Sequence, residues 1–226
     1  MTILFDLDGT LLDTSHDIID AANNLLIQEK RAPVSYDYVR PIITFGGKKI
    51  IAHAFGLQPE LSATDHQYIE ELLPRFMQLY KQTNFQKTVA FPGINELLAE
   101  LESLKISWGI VTNKIQELTI PLLQNTGYLQ RSACLVCGDT TKNIKPHPGP
   151  LHHACDLLDI RPETCLYIGD SETDIQAGKA AGMKTMAVSF GYIPPGVSVT
   201  DWESDYLAHS GFEILPWIRK WSEQQA

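Results

Sequence analysis

The chain of 226 residues is poor in cysteine, in long apolar runs and in positive charge. Its four cysteines, Cys134, Cys137, Cys155 and Cys165, all lie in the second half. They are too few and too clustered for the disulfide framework of a small secreted domain, so free thiols are expected. No stretch approaches the roughly 18 apolar residues of a membrane-spanning helix. Asp6 and Asp8 interrupt the only hydrophobic segment near the start, so a basic-then-apolar leader is not expected either. Eighteen Lys+Arg stand against 27 Asp+Glu, for a formal net charge of -9. With no basic cluster, that balance repels nucleic acid and anionic membrane surfaces and excludes both as expected partners. A soluble cytoplasmic protein is the expectation.

What is present is a composition that folds. With 44% hydrophobic and 20% charged residues, the chain has enough apolar surface for a sizeable core, and its length suits one core domain with a modest insertion. Residues 2–6 read as a short buried strand ending in the polar turn Asp8-Gly9-Thr10. From Ser15 to about Lys30, Ile18, Ile19, Ala22, Leu25 and Leu26 fall at helical spacing, with Thr14 or Ser15 as N-cap. Helical pattern returns at about 36–44, 47–55 and 64–83, broken at Gly46-Gly47 and Gly56, with no strand pattern between 15 and 85. Residues 15–85 are therefore expected to form an all-helical insertion.

Beyond Phe91-Pro92-Gly93 the pattern alternates: helices at 94–104, 115–126, 149–158 and 173–181, strands at 107–112, 133–137, 165–169 and 184–189. Apolar strands separated by amphipathic helices imply βαβ units. The fold class expected is α/β, a Rossmann-like parallel sheet built from 1–14 and 86–226. Residues 212–221 read as a closing helix in spite of Pro216, with Trp217 and Trp221 packing it against the sheet.

Chemistry-bearing residues recur where these strands end, which is where ligands bind in open α/β sheets. Asp6 and Asp8 stand two apart, so period-2 geometry can point both the same way, and their repulsion implies a hard cation between them. An Asp-Gly turn with a solvated neighbour is the plain alternative. Thr112 and Asn113 close another strand with a hydroxyl and an amide suited to phosphate oxygens, although a helix cap explains a lone Thr equally well. Lys145 sits in a stretch stiffened by Pro146 and Pro148, where a solvated loop lysine is the competing reading. Asp170 and Asp174 offer two carboxylates four apart, fit for oxygen-liganded Mg²⁺, or else a helix cap at Asp170 or Ser171. Cys134 and Cys137, three apart on a strand, face opposite ways and suit neither a shared metal nor a disulfide. His147, His152 and His153 lack zinc spacing.

Taken in order, Asp6-Leu7-Asp8-Gly9-Thr10, Thr112, Lys145 and Gly169-Asp170 with Asp174 resemble the signature blocks of the haloacid dehalogenase-like hydrolase superfamily, over nearly the whole chain. The resemblance implies a phosphoaspartyl route. Asp6 is the implied nucleophile and Asp8 the acid and then the base, while Lys145 neutralises charge and Thr112 with the Asn113 amide holds phosphoryl oxygens. Mg²⁺ is implied on Asp6, the backbone carbonyl of Asp8 and Asp170, with Asp174 in or near its shell. The helical insertion resembles the family's cap over the site. Where the sugar-phosphate mutase branch has a histidine this chain has Ile18, which argues against a mutase or phosphotransferase. Asp6, Asp8, Lys145 and Asp170 together argue against a catalytically silent binding protein.

The segment Ile42-Ile43-Thr44-Phe45-Gly46-Gly47-Lys48-Lys49, the stretch 108–114 and Phe190-Gly191-Tyr192-Ile193 resemble the phosphoglycolate-phosphatase-like group, and within it the N-acetylmuramic acid 6-phosphate phosphatases of cell-wall recycling. The implied partner is a small carboxylated phosphorylated metabolite. Gly46, Gly47, Lys48 and Lys49 are expected on a cap loop, the glycines allowing close approach of backbone to ligand and the lysines meeting its carboxylate, with Arg40 a further anion anchor.

Overall fold

The computed structural model describes residues 1–58, 60–83 and 85–223. The chain divides into two compact units, one of Met1–Asp13, Ala90–Gly191 and Gly196–Ala226, the other of Thr14–Val89 and Tyr192–Pro195.

The first unit is built on a six-stranded sheet: β1 (Thr2–Phe5), β2 (Ser107–Val111), β3 (Leu135–Val136), β4 (Cys165–Gly169), β5 (Lys184–Val188) and β6 (Tyr206–Ala208), in the spatial order β3-β2-β1-β4-β5-β6. Every pairing is parallel. β1 lies at the centre, where a strand covered on both faces must be apolar throughout, and its Ile3, Leu4 and Phe5 are fully buried. Phe5 is in register with Ile110 on one side and Ile168 on the other. Residues just past these partners, Asp6, Thr112 and Asp170, therefore leave the sheet along one edge.

One apolar cluster ties Leu4, Val111, Val136 and Tyr167 of the sheet to Leu151, Ala154 and Cys155 of the Gly149–Leu158 helix and Ala177 of the Glu172–Ala180 helix. A fully buried leucine such as Leu151 contributes about 1.5–3 kcal/mol by its removal from water.

Two local departures from the sequence pattern, and the closing helix that it does predict, have physical causes. The strand expected at 133–137 shortens to Leu135–Val136 at the sheet edge, and Cys134 and Cys137 flank it as buried free thiols. The closing helix runs Gly211–Glu223 straight through Pro216, because Ile214, Ile218 and Trp221 bury one stripe that outweighs the lost backbone bond. Trp217 packs against Tyr206 with the rings tilted by 36° and their centroids 5.0 Å apart. β6 is three residues long and preceded by polar Glu203-Ser204-Asp205, too little apolar signal to stand out.

In the second unit, Ser15–Gln28 packs against Ala63–Thr83, burying Ile18, Ile19, Leu25 and Leu26 on one helix and Ile69, Leu72, Phe76 and Tyr80 on the other. Thr14 is the N-cap of the first, without a side-chain capping bond. The helix expected over 36–44 divides into an α-helical turn, Tyr36–Val39, and a 3₁₀ segment, Arg40–Phe45, since Pro41 brings no N–H to an α-helical ladder. Tyr192–Pro195, which the pattern assigns to the core, belongs to this unit. Tyr192 is fully buried, its hydroxyl accepts from the Thr14 N–H at 2.8 Å, and the Arg40 guanidinium lies 5.1 Å from its ring centroid.

The expected cap loop at Gly46-Gly47-Lys48-Lys49 is instead a helix start. Gly46 is the N-cap with φ of 80°, and Gly47, Lys48 and Lys49 form the first turn of Gly47–Ala54. Glycine serves conformation at Gly46 and packing at Gly47, where a Cβ would lie 3.2 Å from Leu73 of the neighbouring helix. Lys48 pairs with Glu70, both side chains 58% exposed, a contact worth at most about 1 kcal/mol.

Candidate active site

The edge of the sheet carries a dense set of charges. Asp6 follows β1 directly, its backbone N–H bonded to Ile168 O at 2.8 Å, and its side chain is buried. The turn after it closes through Gly9 N–H to Leu12 O at 3.0 Å and Leu11 N–H to Leu7 O at 3.0 Å. Gly9 has φ of 88°, and a Cβ there would stand 2.1 Å from Asp170 Oδ2, so both conformation and space require glycine. Gly191 presses on Asp170 from another side, where a Cβ would lie 2.3 Å from the Asp170 Cβ, and Gly169 does the same to Asp174 at 2.4 Å. Thr10 Oγ1 donates to Asp170 Oδ1 at 3.3 Å. Each of the two acids is thus approached on at least one side by a glycine that leaves no room for a Cβ.

Lys145 is the hub. Its ammonium, fully withdrawn from solvent, reaches Asp6 Oδ1, Asp174 Oδ1 and Tyr167 Oη at 2.7 Å each, and Val111 O at 3.0 Å. Four acceptors surround three N–H bonds, so the ammonium is held by more partners than it can satisfy at once. Burial alone favours loss of its proton, but the Asp174 and Asp6 carboxylates outweigh burial and hold its pKa up at about 12. Asp6 shows the opposite balance: burial, supported by the negative charge of Asp174, pushes it up to about 7 against the pull of Lys145.

Asp174 has two functions. Its Oδ2 accepts from the Ser171 N–H at 3.1 Å and hydroxyl at 2.6 Å, completing a capping box that starts the Glu172–Ala180 helix. Its Oδ1 faces Lys145. The cap reading and the site reading of this segment both hold, with Ser171 as the cap. Thr112 is buried, and its Oγ1 accepts from the Lys114 N–H at 3.2 Å, which leaves its own proton for an outside acceptor.

One expectation is corrected. The Asn113 side chain is not offered to a ligand; its Nδ2 donates to Lys145 O and its Oδ1 accepts from Lys145 N–H, both at 3.0 Å. The Asp6 and Asp8 side chains meet different ammonium groups. Each has its own lysine, Asp6 with Lys145 at 2.7 Å and Asp8 with Lys114 at 2.9 Å. The carboxylates that converge are Asp6, Asp170 and Asp174, with ligand oxygens all within 4.8 Å of one another, the one such group of potential metal ligands among the described residues. Three buried carboxylates beside one ammonium leave excess negative charge, and an all-oxygen donor set of this kind fits a hard divalent cation such as Mg²⁺. His147, whose Nδ1 accepts from the Gly149 N–H at 2.9 Å, joins no such group, nor do His152 and His153.

Two residues that the sequence reading does not single out for a role also enter the site. Lys114 lies two beyond Thr112, a spacing that carries no signal by itself, and Tyr167 reads as an ordinary core aromatic of β4. Only the fold brings their polar ends to Asp8 and Lys145.

The family described as haloacid dehalogenase-like hydrolase matches residues 3–188. The chain is 36% identical over 212 residues to an N-acetylmuramic acid 6-phosphate phosphatase of Pseudomonas putida, covering 94% of this chain and 93% of the relative. It is 40% identical over 206 residues to a phosphoglycolate phosphatase of Xylella fastidiosa, covering 91% and 87%. The crystal structure of a predicted phosphoglycolate phosphatase from Haemophilus somnus superposes with a TM-score of 0.81 at 24% identity, over 95% of this chain and 96% of that one, and supports the fold.

Proposed function

Because the chain belongs to the haloacid dehalogenase-like hydrolase family and is a phosphatase like its relatives, we propose that it hydrolyses a small carboxylated phosphomonoester through a phosphoaspartyl intermediate on Asp6. The observation that carries this reading is the Lys145 ammonium bridging Asp6 and Asp174 beside buried Asp170. A carboxylate so fixed is a directed nucleophile, and the positive charge beside it meets the charge that develops on a transferring phosphoryl group.

In the first step an Asp6 oxygen attacks phosphorus as the bond to the ester oxygen breaks, and Asp8 gives its proton to the departing alcohol. In the second, Asp8 takes a proton from water, whose oxygen attacks phosphorus. The bond to Asp6 breaks, inorganic phosphate leaves, and Asp6 is restored as a carboxylate. Thr112 donates its hydroxyl proton to a phosphoryl oxygen and the Asn113 backbone amide binds another. Asp6, the Asp8 carbonyl, Asp170 and Asp174 would hold Mg²⁺, which when bound supplies neutralisation of the phosphoryl oxygens and favours ionised Asp6.

The two named activities among the relatives share a substrate type, a carboxylate-bearing alkyl phosphate, and N-acetylmuramic acid 6-phosphate and 2-phosphoglycolate are the two candidates. A phosphate-release panel containing both esters, hexose phosphates and pyrophosphate, with and without Mg²⁺, tests the assignment. Asp6→Asn keeps the shape of the side chain but removes the nucleophile, so turnover is expected to vanish while the melting temperature persists. Turnover within tenfold of the parent would exclude Asp6 as nucleophile.

A further inference from the structure

We propose that Lys114 is a positioning residue for the acid/base group, holding the Asp8 carboxylate where it meets the leaving oxygen. The inference rests on the assignment of Asp8 as acid and base. Lys114 is an unusual lysine: its side chain is only 6% exposed, although a long cationic side chain gains entropy and hydration by lying in solvent. Its backbone is fixed at both ends, the N–H on Thr112 Oγ1 at 3.2 Å and the carbonyl accepting from Gly138 N–H at 2.9 Å. From there Nζ reaches across to Asp8 Oδ1 at 2.9 Å, joining residues 106 apart in sequence.

The partition of charge gives the pairing a meaning. Lys145 is committed to Asp6 and Asp174, whereas Lys114 meets Asp8, so each of the two aspartates of the Asp6-Leu7-Asp8 block has a separate ammonium. Asp8 sits on a tight turn and is more exposed than Asp6, with 19% of its side chain accessible, and a carboxylate there has rotamers that face solvent. An ammonium at 2.9 Å from Oδ1 selects one rotamer and so fixes where the carboxylate meets the leaving oxygen. Loss of Lys114 is then a loss of protonation of the leaving group, not of phosphate binding.

The experiment compares kcat/KM for an alkyl phosphate, whichever of 2-phosphoglycolate and N-acetylmuramic acid 6-phosphate the enzyme turns over, with that for p-nitrophenyl phosphate. This ratio reports events up to phosphoryl transfer, and an activated aryl leaving group needs little protonation. Lys114→Met is expected to lower the alkyl value by about 30-fold and the aryl value by less than about threefold, a gap that a positioning loss through the acid produces. Lys114→Arg, which retains the charge, is expected to recover part of the alkyl loss. The double variant Asp8→Asn/Lys114→Met is expected to be no slower than Asp8→Asn alone.

Matched alkyl and aryl losses in Lys114→Met, or a double variant slower by the full single-variant factor, would overturn the proposal and assign Lys114 to direct phosphate binding. If Lys114→Met does not fold, Lys114→Gln is read by the same criteria. Asp8→Asn measured alone separates the two levels: if it lacks leaving-group dependence, the acid assignment fails, and if it has that dependence while Lys114→Met does not, only the present inference fails.

Discussion

The side chain of Asn113 grips the backbone of Lys145 from both sides, donating to its carbonyl and accepting from its N–H at 3.0 Å each. An exposed amide thereby fixes the root of a buried ammonium whose tip lies 2.7 Å from Asp6.

Asn113→Ala removes two bonds, worth about 0.5–1.5 kcal/mol each, and lets the Lys145 loop shift. Turnover is expected to fall roughly tenfold, since a misplacement of about 1 Å costs a catalytic group much of its effect. Asn113→Asp restores the acceptor but not the donor and should lie between the two. Steady-state kinetics with a thermal melt check this; a large drop in melting temperature with unchanged kcat would mean that the loop is held elsewhere.

The contrast between Asn113 and its neighbour Thr112 indicates what a sequence reveals. β1, β2 and β4 were legible because a central parallel strand must be apolar and must end where the chain turns, so Asp6, Thr112 and Asp170 announce their shared edge by position. Lys145 was legible through its motif context. The target of an amide or an ammonium is not written locally: nothing near Asn113 names Lys145, and nothing near Lys114 names Asp8. Gly47 shows the same limit, since its need for a missing Cβ comes from Leu73 and Phe76 on another helix.

Tyr167 Oη lies 2.7 Å from Lys145 Nζ and donates to Val111 O at 2.8 Å, with Asp174 Oδ1 3.2 Å away. Burial and the surrounding carboxylates raise its pKa well above the ordinary phenol value, so it remains a donor throughout the working range. Tyr167→Phe deletes only that hydroxyl. Val111 O and both carboxylates keep Lys145, so the expected outcome is a stability loss of about 1–3 kcal/mol with a severalfold drop in kcat and little change in KM. Denaturant unfolding and steady-state kinetics measure the two parts; full stability with unchanged kcat would remove Tyr167 from the network.

Asp6 also predicts how pH and metal interact. Its pKa rises from 3.8 to about 7 on folding, so between those values the folded chain binds more protons than the unfolded one. Stability from this group therefore falls as pH rises from about 4 to about 7, and is flat above. Lys145, held at about 12, keeps its stabilising proton across that whole window and loses it only at higher pH. Mg²⁺ held by Asp6, as proposed, would favour its ionised form, so saturating Mg²⁺ should raise the melting temperature more at pH 8 than at pH 5. Differential scanning fluorimetry at both values tests this, and an equal or larger gain at pH 5 would contradict it.

The choice between substrates is expected to involve the first turn of Gly47–Ala54, where Lys48 and Lys49 are both exposed. Lys48 already pairs with Glu70, but that contact is open to solvent and easily exchanged for another anion. Replacing both lysines by Met or Gln removes two positive charges from a chain whose net charge is -9, so a carboxylated ester loses more attraction than an ester with no charge beyond its phosphate. The expected result is a rise in KM for the carboxylated ester of about three- to tenfold, with kcat preserved and KM for p-nitrophenyl phosphate changed by less than about twofold. Raising the salt concentration should shrink the difference, because screening weakens an exposed ion pair. Equal changes for the two esters would show that these lysines serve the surface of the helix, and that the carboxylate is read by other residues.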